Sequence, residues 1–260
     1  MPAKSWLASV AALLAGALAL GTASAVEFDR GALWKVVQAC VADARLTGLP
    51  YPCLAVDLAG GEERGHVLLR PPWANDLIVS PTRAVVGVED PLLQSVAAPN
   101  DFAAAWRART MIATANGRQP SRDQVALVAN SRPARAQDQL HIHVGCLRLG
   151  AKRVLADAAH TLPLDAWRPI GWVVPHQSFW AMRIRGADLE GVNPFRLVHD
   201  LIDPMVRDPA DVTVVVAGAK VGGEDDFLLL ASYAWAPGAL WPARAEDLID
   251  RRCWGEAVAS

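Results

Sequence analysis

The chain opens on an uncharged run. Leu7 to Leu20 contains only Ala, Leu, Val, Ser and Gly, with Lys4 ahead of it and Ala23-Ser24-Ala25 behind. A positive start, a short apolar stretch and a small-x-small site mark residues 1–25 as an export signal. If uncleaved, the segment would be an N-terminal membrane anchor, although it is shorter than the roughly 20 apolar residues of a typical spanning helix. Either way residues 26–260 would fold outside the cytoplasm as one domain with an extension. After this segment the pattern becomes amphipathic. Leu33, Val36, Val37, Cys40, Val41 and Ala44 recur at helical spacing behind Asp29, and Gly48 and Pro50 stop the helix. His66–Arg70 and Asp76–Ser80 are short β-rich runs around Pro71-Pro72-Trp73-Ala74-Asn75, which predicts a hairpin. Pro99-Asn100-Asp101 should cap an Ala-rich helix from Phe102 to about Ala115, ended by Asn116-Gly117. Gln124–Ala129 and Gln139–Leu149 predict a second hairpin joined by a polar loop. Val212–Val216 and Phe227–Ser232 predict a third, with Glu224-Asp225-Asp226 in a solvated turn. Asn193–Leu201 and Ala243–Arg252 look helical. Helices mixed irregularly with antiparallel hairpins predict an α+β fold rather than a doubly wound parallel sheet.

Composition narrows the reading. The 260 residues are 52% hydrophobic with a net charge of −2, which suits one domain and leaves no footprint for nucleic acid. Cys40, Cys53, Cys146 and Cys253 make an even count in an exported chain, which favours disulfides. Of three possible pairings, Cys40–Cys53 with Cys146–Cys253 is expected. The first pair is close in sequence, and the second would tie the C-terminal segment to a central strand. No Cys-x-x-Cys spacing suggests a metal site.

The candidate chemistry lies in Gln139-Leu140-His141-Ile142-His143-Val144-Gly145-Cys146. In a strand Leu140, Ile142, Val144 and Cys146 share one apolar face, and Gln139, His141, His143 and Gly145 share the other. The two imidazoles would lie roughly 7 Å apart along the backbone. Such a row suits metal binding, nucleophilic or acid–base catalysis, or simply a polar face. Asn130, Arg132, Arg135 and Gln137 precede it and supply donors able to hold phosphate oxygens, which tips the balance toward phosphoryl transfer. His66, His160 and His199 fit no pattern, and His176 reads as a loop or core residue.

Asn130, Gln137, His141 and His143 in this spacing resemble the histidine-triad superfamily of nucleotide hydrolases and transferases. Leu77-Ile78-Val79-Ser80-Pro81 resembles the strand that precedes that family's long helix. The run from Asn130-Ser131-Arg132 through Arg135-Ala136-Gln137 to His141-Ile142-His143-Val144-Gly145-Cys146-Leu147-Arg148 is similar, more specifically, to the CDP-diacylglycerol pyrophosphatases. So are the N-terminal apolar segment, Pro52-Cys53, and Ala245-Glu246-Asp247-Leu248 with Cys253. The resemblance implies a histidine-triad-like antiparallel sheet with flanking helices and a C-terminal extension. It implies hydrolysis of the CDP-diacylglycerol phosphoanhydride to CMP and phosphatidate through a phosphohistidine, without metal or other cofactor.

The chain departs from the wider pattern at Gly145, where a third histidine would stand, and at Arg132 and Ala136, where glycines would flank the phosphate loop. Counting from Asn130 and Gln137 makes His143 the nucleophile and His141 its orienting partner; counting from Gln139 makes His141 the middle histidine. The first count is preferred here, with Asn130, Arg132, Arg135, Gln137 and Gln139 on the phosphates. The implied partner is a liponucleotide at the periplasmic surface of the inner membrane. Trp167, Trp172, Trp180, Trp235, Trp241 and Trp254 read mainly as core and shell, with a lipid-contacting groove as the alternative. The competing functions are an exported hydrolase of soluble nucleotides, a transferase passing the intermediate to an alcohol, and a metal- or ligand-binding module without catalysis. The residues do not set the oligomeric state.

Overall fold

A single antiparallel sheet runs through both halves of the chain. The computed structural model describes residues 29–71, 76–114, 117–202, 208–235, 240–250 and 252–253. The expected export segment, the tip of the first hairpin at 72–75, Asn116 and Trp254 lie outside them. The strands are β1 (Ala55–Asp57), β2 (His66–Leu69), β3 (Leu77–Pro81), β4 (Val125–Ala129), β5 (Ile142–Leu147), β6 (Arg168–Val174), β7 (Gln177–Arg185), β8 (Val212–Val221), β9 (Glu224–Tyr233) and β10 (Ile249–Asp250). Their order is β1-β2-β3-β5-β4-β8-β9-β7-β6, and β10 pairs with β5 beyond the end of β3. Among the described residues four α-helices flank the sheet: α1 (Ala32–Thr47), α2 (Asp101–Ala108), α3 (Leu149–Thr161) and α4 (Pro194–Ile202). The fold is therefore α+β, as the hairpin pattern predicts. Among the described residues no helix is long and apolar enough to cross a membrane.

The two faces carry separate cores. On one, α2 and α4 cover Leu77, Ile142, Val144, Val214, Val216 and Leu229. On the other, α3 and residues 245–249 cover Ala126, Val128, Val215 and Leu230. Central strands packed on both sides need apolar residues at every position. That is why β4 (VALVA) and most of β8 read as continuous apolar runs without polar alternation. Helix α1 closes a third cluster over Val67 at the β2 edge, held by the Cys40–Cys53 disulfide. Cys146–Cys253 is the second disulfide, so both expected pairs form.

Several elements differ from expectation. The second hairpin's return strand spans Ile142–Leu147 rather than Gln139–Leu149; Leu140 donates its N–H to the carbonyl of Val85, and Leu149 already begins α3. Helix α2 ends at Ala108 and passes into a 3₁₀ turn, Arg109–Met111, where Arg109 donates to the carbonyl of Trp106. The first helix is capped at Gly31, with Asp29 accepting from the Gly31 N–H. Residues 243–252 form a 3₁₀ turn and β10 rather than a helix. The third hairpin turns at Gly222-Gly223, both at positive φ as a two-residue hairpin turn of this hand requires. Asp226, expected in a solvated turn, lies fully buried in β9 within 4 Å of Arg183 and Arg185. Helix α3 and the β6–β7 hairpin have no counterpart in the sequence reading. The buried stripe of α3 is mostly alanine (Ala151, Leu155, Ala159), which carries little periodic signal.

Candidate active site

His143 lies in β5, opposite Ile78 of β3 and Val128 of β4. His141 stands two residues ahead, just before the strand begins. Their rings meet edge to face with centroids 5.3 Å apart, and both side chains are nearly buried. Pleating puts both on the α3 face of the sheet while Leu140, Ile142, Val144 and Cys146 enter the opposite core, as the alternation predicts.

The two rings are held differently. His141 Nδ1 lies 2.7 Å from the carbonyl oxygen of Gln139. A carbonyl only accepts, so Nδ1 carries the proton and Nε2 keeps its lone pair. Burial, with the neighbouring His143 second, lowers the His141 pKa to about 4, so the ring is neutral at physiological pH. His143 Nδ1 lies 2.8 Å from Asp76 Oδ2, and its Nε2 faces Glu246 Oε2 at 3.7 Å. Asp76 precedes β3, and Glu246 sits in the 3₁₀ turn Ala245–Leu248. Neither carboxylate was given a chemical role from the sequence, where Glu246 entered only within the family resemblance, since both reach the histidine only through long-range pairing.

The donor loop divides. Asn130 follows β4. Extending the Val128↔His143 register by two residues sets it opposite His141. Its side chain is buried, and neither its nitrogen nor its oxygen has a partner among the described residues. Ser80, Thr213 and Ser232 continue the same row across β3, β8 and β9, all buried. Arg135 is buried against Gly87, with a bidentate pair to Glu89 at 2.7 and 2.8 Å. Arg132 is half exposed, 3.2 Å from Asp208. Gln137 accepts from the Leu33 N–H and donates to the Asp29 carbonyl, tying the loop to α1. Gln139 has its amide engaged by the protein. It donates to the carbonyls of Pro81 and Arg83 and accepts from Val85 N–H, holding the 81–85 loop beneath the histidines.

Gly145 completes the picture. A Cβ there would sit 2.5 Å from Ile249 Cγ2. The C-terminal segment fills the space that a third histidine at this position would need, and brings Glu246 beside His143 instead. Of the remaining histidines, His66 joins Arg83 on the fully buried Asp101, a structural cluster between β2 and α2. His176 sits in the β6–β7 turn at positive φ, its ring tilted against Trp172. Among the described residues, no group of three or more His, Cys, Asp or Glu side chains is arranged to hold a metal ion.

This geometry accompanies clear relatives. Residues 28–256 match the family model described as CDP-diacylglycerol pyrophosphatase. A CDP-diacylglycerol pyrophosphatase of Yersinia pestis is 32% identical over 247 residues, covering 91% of this chain and 89% of that protein. One from Mycobacterium tuberculosis (strain ATCC 25177 / H37Ra) is 31% identical, covering 95% and 93%. A probable CDP-diacylglycerol pyrophosphatase of Mycobacterium leprae is 30% identical, covering 86% and 80%. With a family model spanning residues 28–256 and relatives of 30–32% identity matched over most of their length, the chain belongs to the CDP-diacylglycerol pyrophosphatase family.

Proposed function

We propose that this chain cleaves the phosphoanhydride of CDP-diacylglycerol with His141 as nucleophile and His143 as its proton-handling partner. Hydrolysis of CDP-diacylglycerol follows from the family. The assignment of roles is carried by one observation, the Nδ1–H of His141 donating to the Gln139 carbonyl. It leaves Nε2 unprotonated and aimed away from its own backbone, the state a nitrogen nucleophile needs. The count from Asn130 and Gln137 favours His143, but that ring is engaged by Asp76, and its third-histidine position, Gly145, has no room beside Ile249. Counting from Gln139 sets His141 in the middle, and on this reading the chain is a member of the histidine-triad superfamily with Gln139 in the first place.

In the reaction, His141 Nε2 forms an N–P bond with one phosphorus as the bridging P–O bond breaks. His143, oriented by Asp76, gives the departing phosphate oxygen its proton. Water then takes the phosphoryl group from nitrogen, returning a proton to His143 and yielding CMP and phosphatidate. Asn130, with its unpartnered amide beside His141, donates to a phosphate oxygen as charge builds there. Residues 1–25 export the chain to the periplasmic side of the inner membrane, and the two disulfides suit that oxidising compartment.

CMP release from CDP-diacylglycerol in detergent and chelator tests the scheme. His141→Ala should abolish release and any acid-labile phosphoprotein, while His143→Ala should slow it about 10²- to 10⁴-fold. A phosphoprotein that persists in His141→Ala would reverse the roles. A folded wild-type protein releasing no CMP would remove the hydrolase.

A further inference from the structure

A groove of about 520 Å³ lies on the α3 face of the sheet, the face that carries the paired histidines. One wall is the β6–β7 turn, with Val173, Pro175 and His176; the other is the C-terminal segment, with Trp241 and Arg244. Arg244 pairs with Glu246, whose other oxygen faces His143 at 3.7 Å, so the groove lies one side chain from the catalytic pair. Arg148 adds a second positive charge to the lining, and Asp247 is its acidic member. At the floor Gln177 is almost fully buried, and its amide nitrogen has no partner among the described residues. A buried donor without an acceptor is unfavourable unless a ligand supplies one.

The rim is apolar where solvent would favour polar groups. Trp241 is 82% exposed, Leu240 86%, Trp172 65% and Trp235 48%. Trp172 packs on His176, which lines the groove as Trp241 does, so these two tryptophans border one opening; Leu240 precedes and Trp235 follows a lining residue in the chain. Exposed tryptophans around a basic, mostly apolar groove match an anionic amphiphile held at a bilayer surface.

We propose that this groove holds the acylglycerol end of the liponucleotide and that its tryptophan rim enters the bilayer. The proposal rests on CDP-diacylglycerol being the substrate. Gln177 then donates to an ester or phosphate oxygen. Arg148 and Arg244 face the phosphates, and the anhydride lies across Glu246 toward His141 and His143. The volume fits the glycerol and the start of the acyl chains, and the remainder of the tails stays in the membrane.

The test uses the full chain on phosphatidylcholine vesicles brominated in the acyl chains and doped with CDP-diacylglycerol, with CMP release followed in parallel. Trp172→Ala/Trp241→Ala should lose about half or more of the bromine-quenched fluorescence amplitude. KM for vesicle-borne substrate should rise several-fold with little change in kcat. This readout holds whether or not the N-terminal segment anchors the chain, because it reports contact at the rim. A quenched amplitude unchanged by the double substitution overturns the proposal. So does loss of quenching in Leu46→Ser/Tyr51→Ser instead, since those exposed residues near the end of α1 form a rival apolar surface. Wild-type protein that is quenched but releases no CMP would instead remove the substrate assignment, leaving the bilayer contact standing.

Discussion

The paired histidines are flanked by two regions that reverse their expected importance. The loop from Asn130 to Gln139 is rich in donors and precedes the histidines in sequence, yet most of its side chains hold the fold together. Arg135 is locked on Glu89, Gln137 on α1 and Gln139 on the 81–85 loop. The C-terminal segment from Leu240 to Asp250 lies about a hundred residues away and, apart from the family resemblance of Ala245-Glu246-Asp247-Leu248, offers no chemical pattern of its own. Yet it supplies Glu246 to His143, fills the space beside Gly145 and builds a wall of the groove. Nearness in sequence marks residues that fold together. Nearness to the reacting atoms is set by which strand edges pair.

That contrast makes graded predictions. Arg135→Ala should have the largest effect, on stability rather than on phosphate binding. It leaves Glu89 without its bidentate partner in a half-buried site, and loss of one member of such a pair costs about 3–5 kcal/mol, reduced here by the partial exposure of Glu89. Urea denaturation measures it, and a stable variant with a purely kinetic defect would return Arg135 to the phosphates.

Acidification should come next. His141 has a folded pKa near 4 against 6.5 unfolded, so the unfolded chain takes up the proton first as pH falls. Its contribution is intact above pH 6.5, declines between 6.5 and 4, and amounts to about 3 kcal/mol. The difference between wild type and His141→Phe, followed by denaturation across that range, isolates it. Parallel pH profiles for the two proteins would contradict the burial of a neutral His141.

Asn130→Ala should lower CMP release about 10²-fold, some 2.7 kcal/mol of barrier, with no loss of stability because its amide has no partner among the described residues. A lower melting temperature with an unchanged rate would make Asn130 structural like its loop neighbours. Gly145→Ala should cost about 1–3 kcal/mol, since the new methyl must displace Ile249 and with it β10. If its thermal unfolding matches wild type, the C-terminal segment is not packed where the structure puts it. Arg132→Ala should change stability by less than about 0.5 kcal/mol, as expected for an exposed pair with Asp208. A large rate loss in this variant would return Arg132 to the substrate.

The core side of β5 was legible because period-two alternation depends only on local geometry. Helix α1, the capped start of α2, the three hairpins and the even cysteine count were legible for similar reasons. Helix α3 was not, because its buried stripe is mostly alanine. The β6–β7 hairpin was not, because β6 is largely exposed and bulged.

The sequence by itself determined the α+β class, an even cysteine count that favours disulfides, and the shared face of His141 and His143; the structure selected the two pairs from three possible pairings. Tertiary structure alone decided how those imidazoles differ. It set one against a backbone carbonyl and the other against Asp76 and Glu246, and it left the Asn130 side chain, unlike its arginine neighbours, without a partner among the described residues. The physical reason is that proton position, burial and charge at an imidazole depend on atoms within a few ångströms. At His141 the deciding carbonyl is two residues away, but at His143, in a sheet whose strands pair out of sequence order, those atoms come from residues tens to a hundred positions apart.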